Sequence, residues 1–78
     1  MPDYPTKISR EELMALAREA RGGRTQTEVA SELEVSQPAV SQAERDPSPS
    51  NDALRIRIVE HYTGFRVEVQ TWFILHKR

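Results

Sequence analysis

The chain has no cysteine. A domain of 78 residues, a length at which one hydrophobic core is marginal, therefore has neither a disulfide framework nor a thiolate metal site to lean on. Aromatic residues are scarce: one Trp, two Phe and two Tyr. No apolar run approaches the roughly 20 residues that span a bilayer, and the opening MPDYPTK lacks the apolar stretch of a signal peptide. A cytoplasmic protein with no membrane partner is expected, its missing stability supplied by association with a second chain. Charge of one sign is also lacking. Eleven Lys and Arg face twelve Asp and Glu, for a net charge of −1, so unselective attraction to a polyanion should be weak. Any contact with nucleic acid must then come from segregation, with Glu11, Glu12, Glu19, Glu28 and Glu32 turned outward and Arg24, Arg45 and Arg21 near helix ends. Histidine is limited to His61 and His76, no Cys/His/carboxylate spacing suits a metal, and no nucleophile has a base beside it. Gly22-Gly23 follows a helical pattern instead of preceding one, which does not suit a phosphate loop. The chain is read as a non-enzyme, with no catalytic residue, metal or cofactor.

What is present is helical patterning. Ser9 opens a helix with a capping box: Glu12 lies three residues on, and Ile8 before the cap can staple to Leu13. Leu13, Leu16, Ala17 and Ala20 form its buried stripe, with Met14 at the edge, and Gly22-Gly23 stops it. Residues 1–7 show no periodicity and read as a flexible arm, from which Tyr4 and Lys7 could reach a phosphate. Thr25 to Arg45 then reads as two short helices and a tight turn. Gln26 to Leu33 puts Val29, Ala30 and Leu33 on one face; Glu34-Val35 turns the chain, with Val35 as the buried plug. Ser36 is an N-cap, and Pro38 sits in the first turn, where a missing N–H costs nothing. From Ser36 to Arg45 the apolar face is Val40 and Ala43, with Ala39 at its margin.

The opposite face of that second helix carries the chemistry. At about 100° per residue, Gln37, Ser41 and Arg45 fall within one arc, flanked by Pro38 and Gln42. Glutamine can bond an adenine bidentately, serine is permissive, and arginine suits guanine or phosphate. Taken alone, an ordinary solvated helix face competes with this reading. The spacing of Gln26, Ala30, Val35, Ser36, Val40, Ser41 and Glu44 decides between them, because it resembles the helix-turn-helix of phage Cro and repressor-type (xenobiotic-response-element) transcriptional regulators. The similarity runs from about Ile8 to Gly64.

The resemblance implies that the second helix enters the major groove while the first lies across the phosphate backbone. It places Gln37, Pro38, Ser41 and Gln42 against bases, and Gln26 on a phosphate and beside Gln37. Arg24, Thr25 and Thr27 join Gln26 as expected backbone contacts. It also suggests a pair between Arg18 and Glu44, against which stands a solvated Arg18, the loop at Gly22 to Arg24 being one residue longer than is common. Glu34 stands where the family usually has glycine, and a left-handed conformation there would cost about 1–2 kcal/mol. The loop DPSPSND brings Ser48, Ser50 and Asn51 near the DNA backbone; helix capping by Ser50 or Asn51 is the alternative use of the same groups.

A further helix is expected from about Asp52 to Tyr62, with Leu54, Ile58, Tyr62, Ile56 and Val59 apolar and Arg55 and Arg57 facing solvent or phosphate. Its stop is Thr63-Gly64. His61, beside the apolar face, reads as structural. Beyond it Phe65, Val67 and Val69 alternate with polar residues, the two-residue period of a strand, and Trp72, Phe73, Ile74 and Leu75 continue it. A lone strand leaves its ladder unpaired, so the same segment of a second molecule is the simplest partner, as in some Cro proteins. A hairpin near Gln70-Thr71 and a docked helix are the other forms open to the tail. The fold expected is therefore mainly α: a four-helix Cro/repressor-like domain (8–64) after an arm (1–7), with a C-terminal strand (65–78) that pairs across a homodimer through Phe65, Val67, Val69, Trp72, Phe73 and Ile74. The function expected is a homodimeric repressor reading an inverted repeat in a double-stranded DNA operator. The rival is an antitoxin or adaptor module whose strand binds a protein partner such as a toxin.

Overall fold

A side-chain oxygen starts each of the first three helices. In the computed structural model, which describes residues 6–69 and 73–78, Ser9 Oγ accepts from the Glu12 amide and Glu12 Oε1 accepts from the Ser9 amide. The expected capping box thus opens helix α1 (Arg10–Arg21). Thr25 and Glu28 repeat the device at α2 (Gln26–Leu33). Ser36 caps α3 (Gln37–Arg45) by accepting from the Ala39 amide, with Pro38 in the first turn. Glu34 ends α2 in the left-handed region, at φ 58° and ψ 45°. Helix α4 (Asp52–Tyr62) follows a single 3-10 turn over Pro49–Asn51. The stripes read from the sequence meet in one core: Leu13 and Ala17, then Val29, Ala30 and Leu33, then Val40 and Ala43, with Ile58 and Val59 from α4. The architecture is the expected four helices followed by C-terminal strand structure.

The tail finds its partner at home. Strands β1 (Thr6–Ile8), β2 (Phe65–Val69) and β3 (Phe73–Lys77) form an antiparallel sheet in the order β1-β3-β2. Val67 stands opposite Leu75, Val69 opposite Phe73, and Ile8 opposite Phe73 on the other flank. Of the three forms open to the tail, the hairpin is the one observed; its connection at Gln70-Thr71, and Trp72, lie outside the described residues, as does Tyr4. The inference that an orphan strand must pair across a dimer is corrected, because β3 is paired on both sides within one chain. Thr6 and Lys7, assigned to the arm, are strand residues. Val67 and Phe73, expected at a dimer contact, are part of the core of the single chain: they are buried with Ile8 and Leu75 against the helices, and Phe65 packs partly buried beside them. Ile74 is half-buried, and Val69, 57% exposed, is the large hydrophobic left open among the described residues. The outer edge of β2 is partly taken as well. The Phe65 amide donates to Thr63 Oγ1 at 3.1 Å and the Val67 amide to Glu60 Oε2 at 2.8 Å, so donors a foreign strand would use are taken.

Arg55, expected at the surface, is fully buried at 0% exposure. Arg55, Ile58, Val59 and Tyr62 share the i, i+3, i+4, i+7 stripe of α4, so its side chain points inward. The guanidinium meets carbonyls at the end of α3 and in the next loop, of which Ser48 also accepts the Asn51 amide at 3.1 Å. Nε donates to the Ala43 carbonyl at 2.7 Å, Nη1 to the Ser48 carbonyl at 3.1 Å, and Nη2 to the Asp46 carbonyl. Nη1 also pairs with Asp52 Oδ1 at 2.5 Å. Asp52 in turn receives the Arg10 fork, with Nε at 3.1 Å and Nη2 at 2.8 Å, and Arg10 lies over the Phe73 ring at 5.5 Å. Burial alone would raise the Asp52 carboxyl, but hydrogen bonds from Arg10 and Arg55 outweigh it and hold the group below its ordinary value.

Replacing Arg55 by Met keeps most of the volume but leaves those carbonyls and Asp52 short of donors. Urea denaturation should show a loss of about 3–5 kcal/mol; an unfolding midpoint equal to the native one would contradict the assignment. For Asp52 the sign follows from its lowered pKa. Its contribution is complete above the unfolded value of about 3.9 and is lost as pH falls through the folded value beneath it. Asp52→Asn should therefore flatten the acid limb of the stability curve below about pH 4, and acid titrations that superimpose for the two chains would rule this out.

Candidate nucleic-acid interface

Val40, Ala43 and Glu44 are the buried side of α3, so the arc opposite them is turned outward. Gln37, Pro38, Gln42 and Arg45 are exposed there and Ser41 is half-buried. The residues expected to face bases thus share one uncovered arc.

Gln37 lies at the margin of that arc nearest α2, and this margin is ordered by a relay. Gln37 Nε2 donates to Gln26 Oε1 at 2.6 Å, and Gln26 Nε2 donates to Glu44 Oε1 at 3.1 Å. The Glu44 carboxylate is 5% exposed and also takes Arg21, from Nε to Oε2 at 2.5 Å and from Nη2 to Oε1 at 3.1 Å. A buried ion pair therefore fixes Gln26, and Gln26 fixes the outward amide. Gln37 keeps an amide oxygen and a second N–H, the acceptor and donor that match an adenine edge. The suggested Arg18–Glu44 carboxylate pair is corrected. Helix α1 continues to Arg21, one turn later, which sits level with Glu44, while Arg18 donates to the Glu44 main-chain carbonyl at 3.3 Å.

Residues expected on the DNA backbone occupy both flanks. Thr25 and Thr27 are exposed and Gln26 half-buried at the start of α2. The Gln26 and Thr27 amides precede the intrahelical ladder and point out of the positive end of the helix, a geometry that receives anions. Glu28 works against it, since its carboxylate takes the Thr25 amide at 3.3 Å and adds negative charge there. Arg24 is exposed; its guanidinium lies over the Tyr62 ring at 4.2 Å. The Tyr62 hydroxyl donates to Glu32, and burial first, then that carboxylate, pushes the phenol up to about 12. Beyond α3, Ser48 and Ser50 share a hydroxyl hydrogen bond at 2.9 Å, and Asn51 Nδ2 donates to the Asp46 carbonyl at 3.4 Å. Capping of α4 by Ser50 or Asn51 is corrected: Asn51 stands at that N-cap but its side chain makes no capping bond, and Ser48 caps the preceding 3-10 turn.

The acidic residues named from the sequence, Glu11, Glu12, Glu19, Glu28 and Glu32, are all exposed. Among the described residues no group of three or more His, Cys or acidic side chains converges to hold a metal, and no helix is long and apolar enough to cross a membrane. His61 is exposed and meets Tyr62 edge-on at 4.6 Å.

A model of the helix-turn-helix family, of the Cro/C1 type, matches residues 14–56, more than half of the chain and a span running from within α1 to within α4. No curated protein and no solved structure matches the chain. The sheet lies outside the matched span.

The relay predicts how Gln37 responds to its neighbour. Gln26→Ala takes one donor from the Glu44 carboxylate, which keeps Arg21, and should cost about 1–3 kcal/mol of global stability. It should shift the Gln37 side-chain amide resonances toward those of a free glutamine. Unchanged Gln37 resonances in an amide correlation spectrum would show that Gln26 does not hold it.

Proposed function

Because the chain belongs to the Cro/C1-type helix-turn-helix family, whose members bind DNA to regulate transcription, we propose that it reads a specific double-stranded operator and represses by occupying it. The observation that carries this reading is the Gln37 amide, exposed on α3 and held in one orientation by Gln26 and Glu44. In this proposal α3 enters the major groove with Gln37, Pro38, Ser41 and Gln42 toward base edges and Arg45 on guanine or phosphate. The start of α2, with Arg24, Thr25, Gln26 and Thr27, and the loop carrying Ser48, Ser50 and Asn51 take the backbone on either side.

One reading helix covers a short half-site, too short to discriminate among genomic sequences. The proposal therefore includes two copies on an inverted repeat, with their reading helices about 34 Å apart on one face of the DNA. The copies do not join along Phe65 to Val67, where Thr63 and Glu60 already occupy the edge donors. The same bonds weigh against a partner strand adding along Phe65 to Val67, the form of contact on which the adaptor reading draws.

Selection from random DNA duplexes, run beside light scattering of the complex, tests this. A palindromic consensus bound by two chains is expected. Gln37→Ala should lose roughly 1–3 kcal/mol of discrimination at one base position of each half-site with the fold intact. An unchanged consensus would remove Gln37 from the site, and a consensus without twofold symmetry would remove the dimer.

A further inference from the structure

We propose that Arg57 is a positioning residue for DNA reading: together with Arg55 it fixes the angle between α2 and α3 from behind, without contacting DNA. The inference rests on the DNA-reading function proposed above and deepens it.

Residues two apart on a helix point about 200° from each other, so α4 sends Arg55 and Arg57 to different sides. Arg55 enters the carbonyl end of α3, through Ala43 and Asp46. Arg57 Nη2 donates at 2.8 Å to the carbonyl of Leu33, the last residue of α2. Each helix of the pair thus ends on a guanidinium supplied by the same third helix. The α2 end needs it. There is no basic residue in the last turn of α2, and Glu32 and Glu34 place negative charge at the end where the helix dipole is already negative. Glu32 is met by the Tyr62 hydroxyl, again from α4. The turn carries its own constraint, since the Glu34 and Val35 amides return to the Ser31 and Ala30 carbonyls, but it holds a non-glycine residue in the left-handed region at some cost. The Gln37–Gln26 and Gln26–Glu44 bonds join the two helices directly, and the guanidinium groups of α4 brace the same angle at the carbonyl ends of both. A change of that angle moves Gln37 and Ser41 relative to the bases while α2 stays on its phosphates.

Arg57 is exposed while Arg55 is fully buried, so Arg57 can be changed with the core intact. The test uses the full chain, the variants R57A and R57K, the duplex selected by the native chain, and the same duplex with one base pair changed opposite Gln37. Affinities are measured over a salt series, below the unfolding midpoint of each variant. R57A should reduce the preference for the selected duplex by roughly 2- to 30-fold with an unchanged salt slope. R57K, which keeps a cation and a donor within reach of Leu33, should restore it. Two results overturn the positioning role while leaving the DNA reading in place. One is an unchanged preference. The other is an equal loss on both duplexes with a log–log salt slope shallower by about 0.9, the signature of one lost phosphate contact. A native chain that selects no consensus overturns the DNA reading and this inference with it.

Discussion

A guanidinium can stay buried and charged only if its N–H groups find oxygens, and Arg55 finds them where the fold would otherwise leave them bare. The Ala43 and Asp46 carbonyls lie at the end of α3, where the helical ladder has run out, and the Ser48 carbonyl takes the guanidinium in addition to the Asn51 amide. Moving α3, the loop or α4 by an ångström or two would orphan both the charge and the carbonyls. An orphaned buried ion costs several kcal/mol, against a total stability on the order of 4–12 kcal/mol for a chain of this length. That comparison is why the end of the reading helix has one position relative to α4 and not a range of them.

The constraint extends outward through Asp52 to Arg10, and Arg10 lies over Phe73 of the sheet. The sheet in turn answers the shortage of core that a 78-residue chain faces. Ile8, Val67, Phe73 and Leu75 are buried beneath it, at about 1.5–3 kcal/mol for each large side chain fully removed from water. Only three residues of β1 are needed to complete the ladder on the far side of β3, so pairing segments from the two ends of the chain does what a second molecule seemed necessary to do. The partly taken edge of β2 belongs to the same solution: Glu60 and Thr63 satisfy donors that would otherwise invite another strand.

Local chemistry made much of this legible. The capping box at Ser9, the Ser36 cap with Pro38, and the apolar spacing from Leu13 to Ala43 depend on neighbours within a turn or two, and α2 and α4 lie where their patterns placed them; the box at Thr25 and Glu28 is as local but went unread. The outward arc of α3 was readable for the same reason. What escaped depends on distant pairing. Three residues, Thr6 to Ile8, carry no period of their own and become a strand only because β3 is beside them. Arg55 lay on the inward stripe with Ile58, Val59 and Tyr62, a placement visible in the spacing but overridden by the expectation that arginine belongs in water. Glu44 was expected to take Arg18, yet how α1 lies against α3 is a tertiary fact, and that packing brings Arg21 to the carboxylate instead.

A net charge of −1 sets the terms on which such a surface can read DNA. Long-range attraction to the polyanion is weak, and Glu28 at the start of α2 weakens the local anion site further. Affinity must then come from short-range contacts, and these are costly when a glutamine has to be frozen on arrival, since its rotamer entropy is on the order of 1.5–2 kcal/mol. The relay from Arg21 through Glu44 and Gln26 spends that ordering during folding, before any DNA is met, and the same carboxylate that organises Gln37 is neutralised by Arg21. A reader with little unselective binding also loses little of its population to non-target DNA, so the ratio that matters for finding an operator is improved from the weak side as well as the strong one. On the proposed reading, near-neutrality and a preset amide are thus two parts of one strategy, in which discrimination is built into the position of a side chain and not drawn from charge.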